Sequence, residues 1–315
     1  MGDRAICRCP EVGAARPAES EHPTVECRVV GVVINVPGSP DHTSVTASQT
    51  ILMCAPGHFS VDYVINHWMK NQTGKVDRTL AVWQWERLRS ILSSFINLAF
   101  VPSEPGVPDM VFTANAGLVL GEKVIVSRFA TRERQAEEPL VRKWFQQNGY
   151  AIADWPQHVA FEGAGDALFD RELPILWFGH GFRSDAAAAA LIEKAIGCRT
   201  VSLRLTDPRF YHLDTCLCPL DGGWLLYYPA AFDRVSQQRI RGVIPDEKRL
   251  EVGEADALHF ACNAVSLGRH VILNHASEDL QNTLRRAGFA PILTPLSEFL
   301  KSGGAAKCLT LKLVE

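Results

Sequence analysis

Four segments of the chain repeat one pattern, two apolar runs joined across a polar turn, and they begin at Gly117, Ala167, Cys216 and Ala264. Their spacing of about 50 residues lies in the range where internal repeats stack or close radially, because one unit cannot bury its apolar face alone. The segments read GLVLGEKVIVS, ALFDRELPILWFG, CLCPLDGGWLLYYP and AVSLGRHVILN, and each predicts a β-hairpin. Helical periodicity fills the intervals at 133–147, 184–196, 231–242 and 277–287. Ser184 and Ser277 are the expected N-caps, with Gly149, Gly197 and Gly288 as stops. An earlier helix over 78–98 and a closing strand over 309–314 supply the parts of a fifth unit. The expected fold is therefore α/β, with five hairpin-plus-helix units.

Composition narrows the function classes. The 315 residues are 47% hydrophobic and 21% charged with a net charge of -3, a profile of globular chains. There is no basic stripe interleaved with aromatics, so nucleic acid is not an expected partner. No apolar run approaches the roughly 18 to 20 residues that a membrane helix needs. Nine cysteines are scattered without CxxC pairs, which indicates neither a zinc site nor a disulfide framework and favours reduced thiols in the cytoplasm. Cys216 and Cys218 share one face of an expected strand and are read as packing. Residues 1–50, rich in Pro, Ser, Thr and Glu apart from the apolar run 29–36, are expected to be a flexible extension without a secretory signal. The catalytic unit is expected over 51–315.

Chemistry-bearing residues recur at one position of the repeat. Asn115 precedes the first hairpin, Glu162 and Asp166 the second, His212 and Asp214 the third, Asn263 the fourth, and Cys308 the closing strand. Equivalent positions of a radial repeat converge, so these side chains are expected to share one pocket. Cys308 ends a glycine-bearing loop, GGAAKC, beside Lys307, whose charge is expected to lower the thiol pKa. His212 suits proton donation to a leaving amine and proton removal from water. In FYHLD, Asp214 lies on the same face and holds either the imidazole or the substrate. Glu162 and Asp166, in FEGAGD, suit a grip on a planar cation. That stretch lacks the full GxGxxG of a dinucleotide loop. Asn115 and Asn66 offer carboxamides that both donate and accept. Arg183 either binds a substrate carboxylate or pairs with Asp185.

FEGAGD, YHLD and GGAAKCLTL, in this order and separation, resemble the guanidino-group-modifying, or amidinotransferase, superfamily over residues 52–313. The resemblance implies a five-bladed pentein, an α/β propeller around a pseudo-fivefold axis. It implies Cys308 as nucleophile, His212 as acid/base, and Glu162, Asp166 and Asp214 as the carboxylates that orient the guanidinium and support the histidine. Because EGAGD carries one more residue than the common EGGD, Glu162 and Asp166 can exchange roles. Asn115 stands where deiminases and amidinotransferases place aspartate, and so resembles the arginine dihydrolase branch. Asn66 resembles an amide of the same branch, with His67 replacing its usual proline. The implied reaction is cysteine-dependent hydrolysis of arginine or a derivative, ending at ornithine in a dihydrolase or at citrulline in a deiminase. Amidinotransferase and dimethylarginine dimethylaminohydrolase activities are the alternatives, and a non-catalytic binding module is an alternative of another class. The partner is a small guanidino compound, no cofactor is expected, and a homo-oligomer stays open.

Overall fold

The computed structural model describes residues 50–313. The expected extension over 1–50, with its apolar run at 29–36, lies outside the described residues except for Thr50, which belongs to the first strand rather than to an extension. The first strand, β1 (Thr50–Cys54), is followed by helix α1 (Arg78–Ser93) and by β2 (Asn97–Val101), which pairs parallel to β1. Four units follow with one plan: a hairpin, a helix, and a third strand parallel to the second arm of the hairpin. They are β3 (Gly117–Leu120), β4 (Lys123–Val126), α2 (Glu137–Gln147) and β5 (Ala151–Ile152); then β6 (Ala167–Phe169), β7 (Ile175–His180), α3 (Ala188–Ile196) and β8 (Arg199–Arg204). Next come β9 (Leu217–Leu220), β10 (Trp224–Tyr227), α4 (Arg234–Val243) and β11 (Arg249–Glu251), a short helix α5 (Glu254–Ala257), and β12 (Val265–Leu267), β13 (His270–Leu273), α6 (Glu278–Arg286) and β14 (Ala290–Leu293). After α7 (Ser297–Leu300), β15 (Leu311–Lys312) pairs antiparallel to β1 and completes a fifth three-stranded sheet.

All four hairpins form where the repeat placed them. The third strand of each sheet was not anticipated, since segments such as APIL at β14 are too short to show a period. Leu98 belongs to β2 rather than to the preceding helix, which stops at Ser93. The helix expected from residue 133 starts at Glu137, because Pro139 has no N–H to donate and is tolerated only in a first turn. The helix expected from 231 starts at Arg234, where the Asp233 side chain accepts from Ser236 N. Ser277 caps α6 as expected. Ser184 does not cap α3, which starts at Ala188 with no side-chain cap; its hydroxyl is bonded elsewhere. Within the described residues the closing strand is confined to Leu311–Lys312.

Apolar clusters lie between neighbouring sheets. One joins β1 and β15 to β3 and β4, another joins β3 and β4 to β6 and β7, a third spans the sheets of β7, β9 and β13, and a fourth joins β12 and β13 back to β1. A cavity is lined by residues of β3, β6, β9, β12 and β15, the strand that follows each chemistry-bearing turn. Among the described residues no helix is long and apolar enough to cross a membrane.

The Ser277 hydroxyl accepts from Leu280 N and donates to Asp256. Replacing Ser277 by Ala is expected to lower unfolding free energy by roughly 1–2 kcal/mol, read as a lower urea midpoint at unchanged slope.

Candidate active site

Asn115, Glu162, Asp166, His212, Asp214, Asn263 and Cys308 stand on or beside the turns that lead into β3, β6, β9, β12 and β15, whereas Asn66 lies between β1 and α1 and Arg183 between β7 and α3. Asn115 lies in a 3₁₀ turn, Thr113–Ala116, just before β3. Glu162 and Asp166 bracket the turn Gly163–Gly165 before β6, and His212 precedes the turn Leu213–Thr215 before β9. The residues on these turns are buried. The glycines of EGAGD have separate reasons. Gly163 has φ +62°, and a Cβ on Gly165 would overlap the Asn115 amide and come within 3.5 Å of the His212 ring.

These turns are hydrogen-bonded to one another around a closed circuit. Asn115 Nδ2 donates to the Glu162 carbonyl at 3.0 Å. Glu162 Oε2 meets His212 Nε2 at 2.7 Å, and Leu213 N donates to Asp166 Oδ1 at 3.0 Å. Asn263 Nδ2 donates to the Asp214 carbonyl at 2.9 Å, Cys308 N donates to Asn263 Oδ1 at 3.1 Å, and Ala114 N donates to the Cys308 carbonyl at 3.1 Å. Buried amides and carboxylates left without such partners would each cost about 1–3 kcal/mol.

The thiol of Cys308 does not hydrogen-bond to His212. Its neighbours are Asn263 Nδ2 at 3.0 Å and Asp214 Oδ2 at 3.4 Å. Asp214 therefore holds the sulfur side of the site, whereas Glu162 holds the imidazole. Burial, and then the charge of Asp214, push the Cys308 thiol well above its ordinary value. The lowering expected from Lys307 falls instead on Asp214, and the lysine Nζ donates to the Thr310 carbonyl.

The three carboxylates differ in charge. Burial raises Glu162, but Arg183, His212 and Arg134 outweigh it and hold the group at about 2. Burial pushes Asp166 up to about 6 against the pull of His212 and the hydroxyl of Ser184, which donates to Asp166 Oδ2 at 2.6 Å. Asp214 is likewise pushed up to about 6 by burial, against Lys307 and the bonds from Cys308 and Asn263.

A small cavity opens beside the sulfur, with Asn66, Asn115, Arg134, Arg183, Tyr211 and Cys308 in its wall. His212, Glu162, Asp166, Asp214 and Asn263 do not line it. Arg183 does not pair with Asp185, whose Oδ2 accepts from Ala160 N. Its guanidinium reaches Glu162 at 3.3 Å and the Ile65 carbonyl at 2.9 Å, and lies over the Tyr211 ring at 4.8 Å. Asn66 Oδ1 accepts from Trp68 N and Met69 N while its Nδ2 donates to the Ser302 carbonyl, so it shapes the cavity wall. Sequence reasoning missed Arg134, which pairs with Glu137 at 2.7 Å and donates to Asn115 Oδ1 at 2.8 Å. It also missed Tyr211, whose hydroxyl donates to the Gly303 carbonyl at 2.8 Å. Tyr211 was visible beside His212, but Arg134 lies in no motif.

A mixed α/β frame of five repeated sheets, with a buried thiol, amides and guanidiniums around one polar cavity, defines the class of protein. Comparison with known proteins makes the class a family: residues 55–315 match the family described as N,N dimethylarginine dimethylhydrolase, eukaryotic, and the chain belongs to it. It is 54% identical over 265 residues to the bifunctional arginine dihydrolase/ornithine cyclodeaminase ArgZ of Synechocystis, covering 84% of this chain and 38% of that protein. It is 41% identical over 277 residues to the N(G),N(G)-dimethylarginine dimethylaminohydrolase of Mycobacterium tuberculosis, covering 88% of this chain and 89% of that protein. The solved N-terminal domain of ArgZ, a cysteine-to-serine variant bound to substrate, superposes with a TM-score of 0.84 at 53% identity over 85% of this chain and 99% of that one. The chain thus spans well under half the length of its bifunctional relative.

Asp214 has a folded-state value above its ordinary 3.8. Its contribution to stability is therefore fully present below pH 3.8 and lost as pH rises through about 6. Asp214→Asn cannot ionise and is expected to melt higher relative to the native chain at pH 8 than at pH 3.5. A melting difference equal at both pH values would contradict this.

Proposed function

We propose that this chain is a cysteine hydrolase of the guanidinium group of arginine, acting as an arginine dihydrolase. The observation that carries the reading is the meeting of Cys308, Asn115 and Arg183 in the wall of one cavity, with the Glu162–His212 pair beside it. In the proposed reaction Cys308 Sγ attacks the guanidinium carbon, and His212 protonates the departing ammonia. A covalent amidino-thioether remains. Water deprotonated by His212 then adds to the same carbon, and expulsion of the sulfur yields citrulline. Thiol and imidazole act on different atoms of the substrate, so they need no direct bond. Glu162, held ionised, is hydrogen-bonded to the imidazole at 2.7 Å and fixes its orientation. A bound guanidinium would bring a positive charge to the raised thiol and favour its ionisation.

Asn115 favours a second round. Aspartate only accepts, which suits a cation, whereas a carboxamide both donates and accepts and so suits the neutral ureido group of citrulline. That round gives ornithine, carbon dioxide and a second ammonia. The Synechocystis relative and the substrate-bound structure support the dihydrolase reading. The mycobacterial relative and the family match support hydrolysis of dimethylarginine as the second reading. For Arg183 we propose capture of the substrate carboxylate, since a guanidinium has five N–H groups and its Glu162 and Ile65 contacts do not use them all.

The finer architecture proposed is a five-bladed propeller over 51–315. It is supported by the circuit of bonds between turns and by the cavity that all five sheets line. Residues 1–49 are proposed to be dispensable, since Thr50 belongs to β1. A cytoplasmic setting is proposed because the cysteines at 54, 198, 216, 218, 262 and 308 are free thiols.

Incubation with arginine is expected to release ammonia and ornithine, and Cys308→Ser is expected to reduce turnover at least a thousandfold. Ammonia release surviving in that variant would end the proposal, and dimethylamine released from dimethylarginine in preference would establish the second reading. Asn115→Asp is expected to shift the product of arginine from ornithine to citrulline, measured by mass spectrometry. Unchanged ornithine output would remove Asn115 from the second round.

A further inference from the structure

Asn263 was expected to touch substrate, yet it is fully buried and does not line the cavity. Its side chain is spent on the loop that carries the sulfur. The carboxamide oxygen accepts from three backbone N–H groups, those of Ala305 at 3.1 Å, Lys307 at 3.0 Å and Cys308 at 3.1 Å. The amino group donates to the Asp214 carbonyl at 2.9 Å and to Cys308 Sγ at 3.0 Å.

We infer that Asn263 is the positioning residue that sets the reactivity of Cys308, its oxygen fixing the thiol loop and its amino group facing the sulfur. The inference rests on the reading of Cys308 as nucleophile. Three donors converging on one oxygen polarise the carboxamide, which makes its N–H a stronger donor. The amino group itself is aimed by the Asp214 carbonyl, so it cannot turn away without losing a buried bond.

The charged and titratable surroundings make this donor consequential. Asp214 lies 3.4 Å from the sulfur and opposes its ionisation. Arg134, Arg183, Asp109 and Tyr211 stand in the cavity wall with Cys308, and Lys307 acts on Asp214. When the proton leaves Cys308, the Asn263 N–H is the side-chain donor already in place on the sulfur, beside the backbone of Ala305, which also favours the ionised form. A carboxylate at 263 would keep the shape and the accepting oxygen but lose this donor.

The test is the pH profile of Cys308 alkylation by iodoacetamide without substrate, read on the Cys308 peptide by mass spectrometry, together with kcat and KM for arginine. Asn263→Asp and Asn263→Ala are compared with the native chain. In both, the alkylation midpoint is expected to rise by about one pH unit or more, and kcat to fall about tenfold or more with KM within about threefold. Should the Ala variant not fold, Asn263→Leu, which removes the donor without adding a charge, takes its place. An unmoved midpoint in a folded variant, or a rise in Asp with none in a folded Ala, overturns the inference. Because alkylation needs no substrate, the midpoint measures the role of Asn263 even in a chain that ignores arginine. An intact turnover with unmoved midpoint leaves the proposed function standing and removes only this role.

Discussion

Every unit of this fold brings a polar side chain to a buried turn, and none satisfies it fully within its own unit. Asn115 reaches Glu162, Glu162 reaches His212, Asn263 reaches both Asp214 and Cys308, and the Cys308 carbonyl accepts from Ala114. A buried polar group without a partner costs more than a typical bond contributes, so this circuit restricts how the sheets are placed. The apolar clusters between sheets supply most of the favourable burial but discriminate poorly between registers. The polar turns supply the discrimination, and the same bonds that satisfy them aim the groups of the site.

The circuit also separates charge. Glu162 is kept ionised by Arg183, His212 and Arg134 despite complete burial, while Asp166 and Asp214 are pushed towards their neutral forms. Two roles result from one functional group. Glu162, held ionised, bonds the imidazole, and the raised Asp214 stands 3.4 Å from the sulfur. Placing all three carboxylates in equal surroundings would make the site either too negative to bury or too neutral to hold a cation.

Arg134 and Ser184 illustrate how function is carried by residues with no motif. Arg134, clamped by Glu137, holds the Asn115 oxygen and thereby turns the amide N–H towards Glu162. Ser184 receives Glu162 N and donates to Asp166, tying the two carboxylate positions together. From its place before a helical segment Ser184 read as an N-cap, since a serine there is a local signal and the Asp166 oxygen is distant in the chain. Arg134 lies one turn before an acidic residue, a pattern common on solvated helices, and nothing local marks its burial.

By itself the sequence determined the hairpins, the family resemblance and the identity of the groups that meet, because hairpin turns, repeat period and motif residues are local properties. It placed Asn115, Glu162, His212, Asn263 and Cys308 at one repeat position, and the structure brings those turns together. Only the tertiary structure decided the third strand of each sheet, which exists by pairing with a strand far away in the chain. It alone decided that Asp214 and Asn263 face the sulfur while Glu162 faces the histidine. Such partnerships depend on distances between separate units and on the loss of water around them, and neither quantity is written in any local stretch of residues.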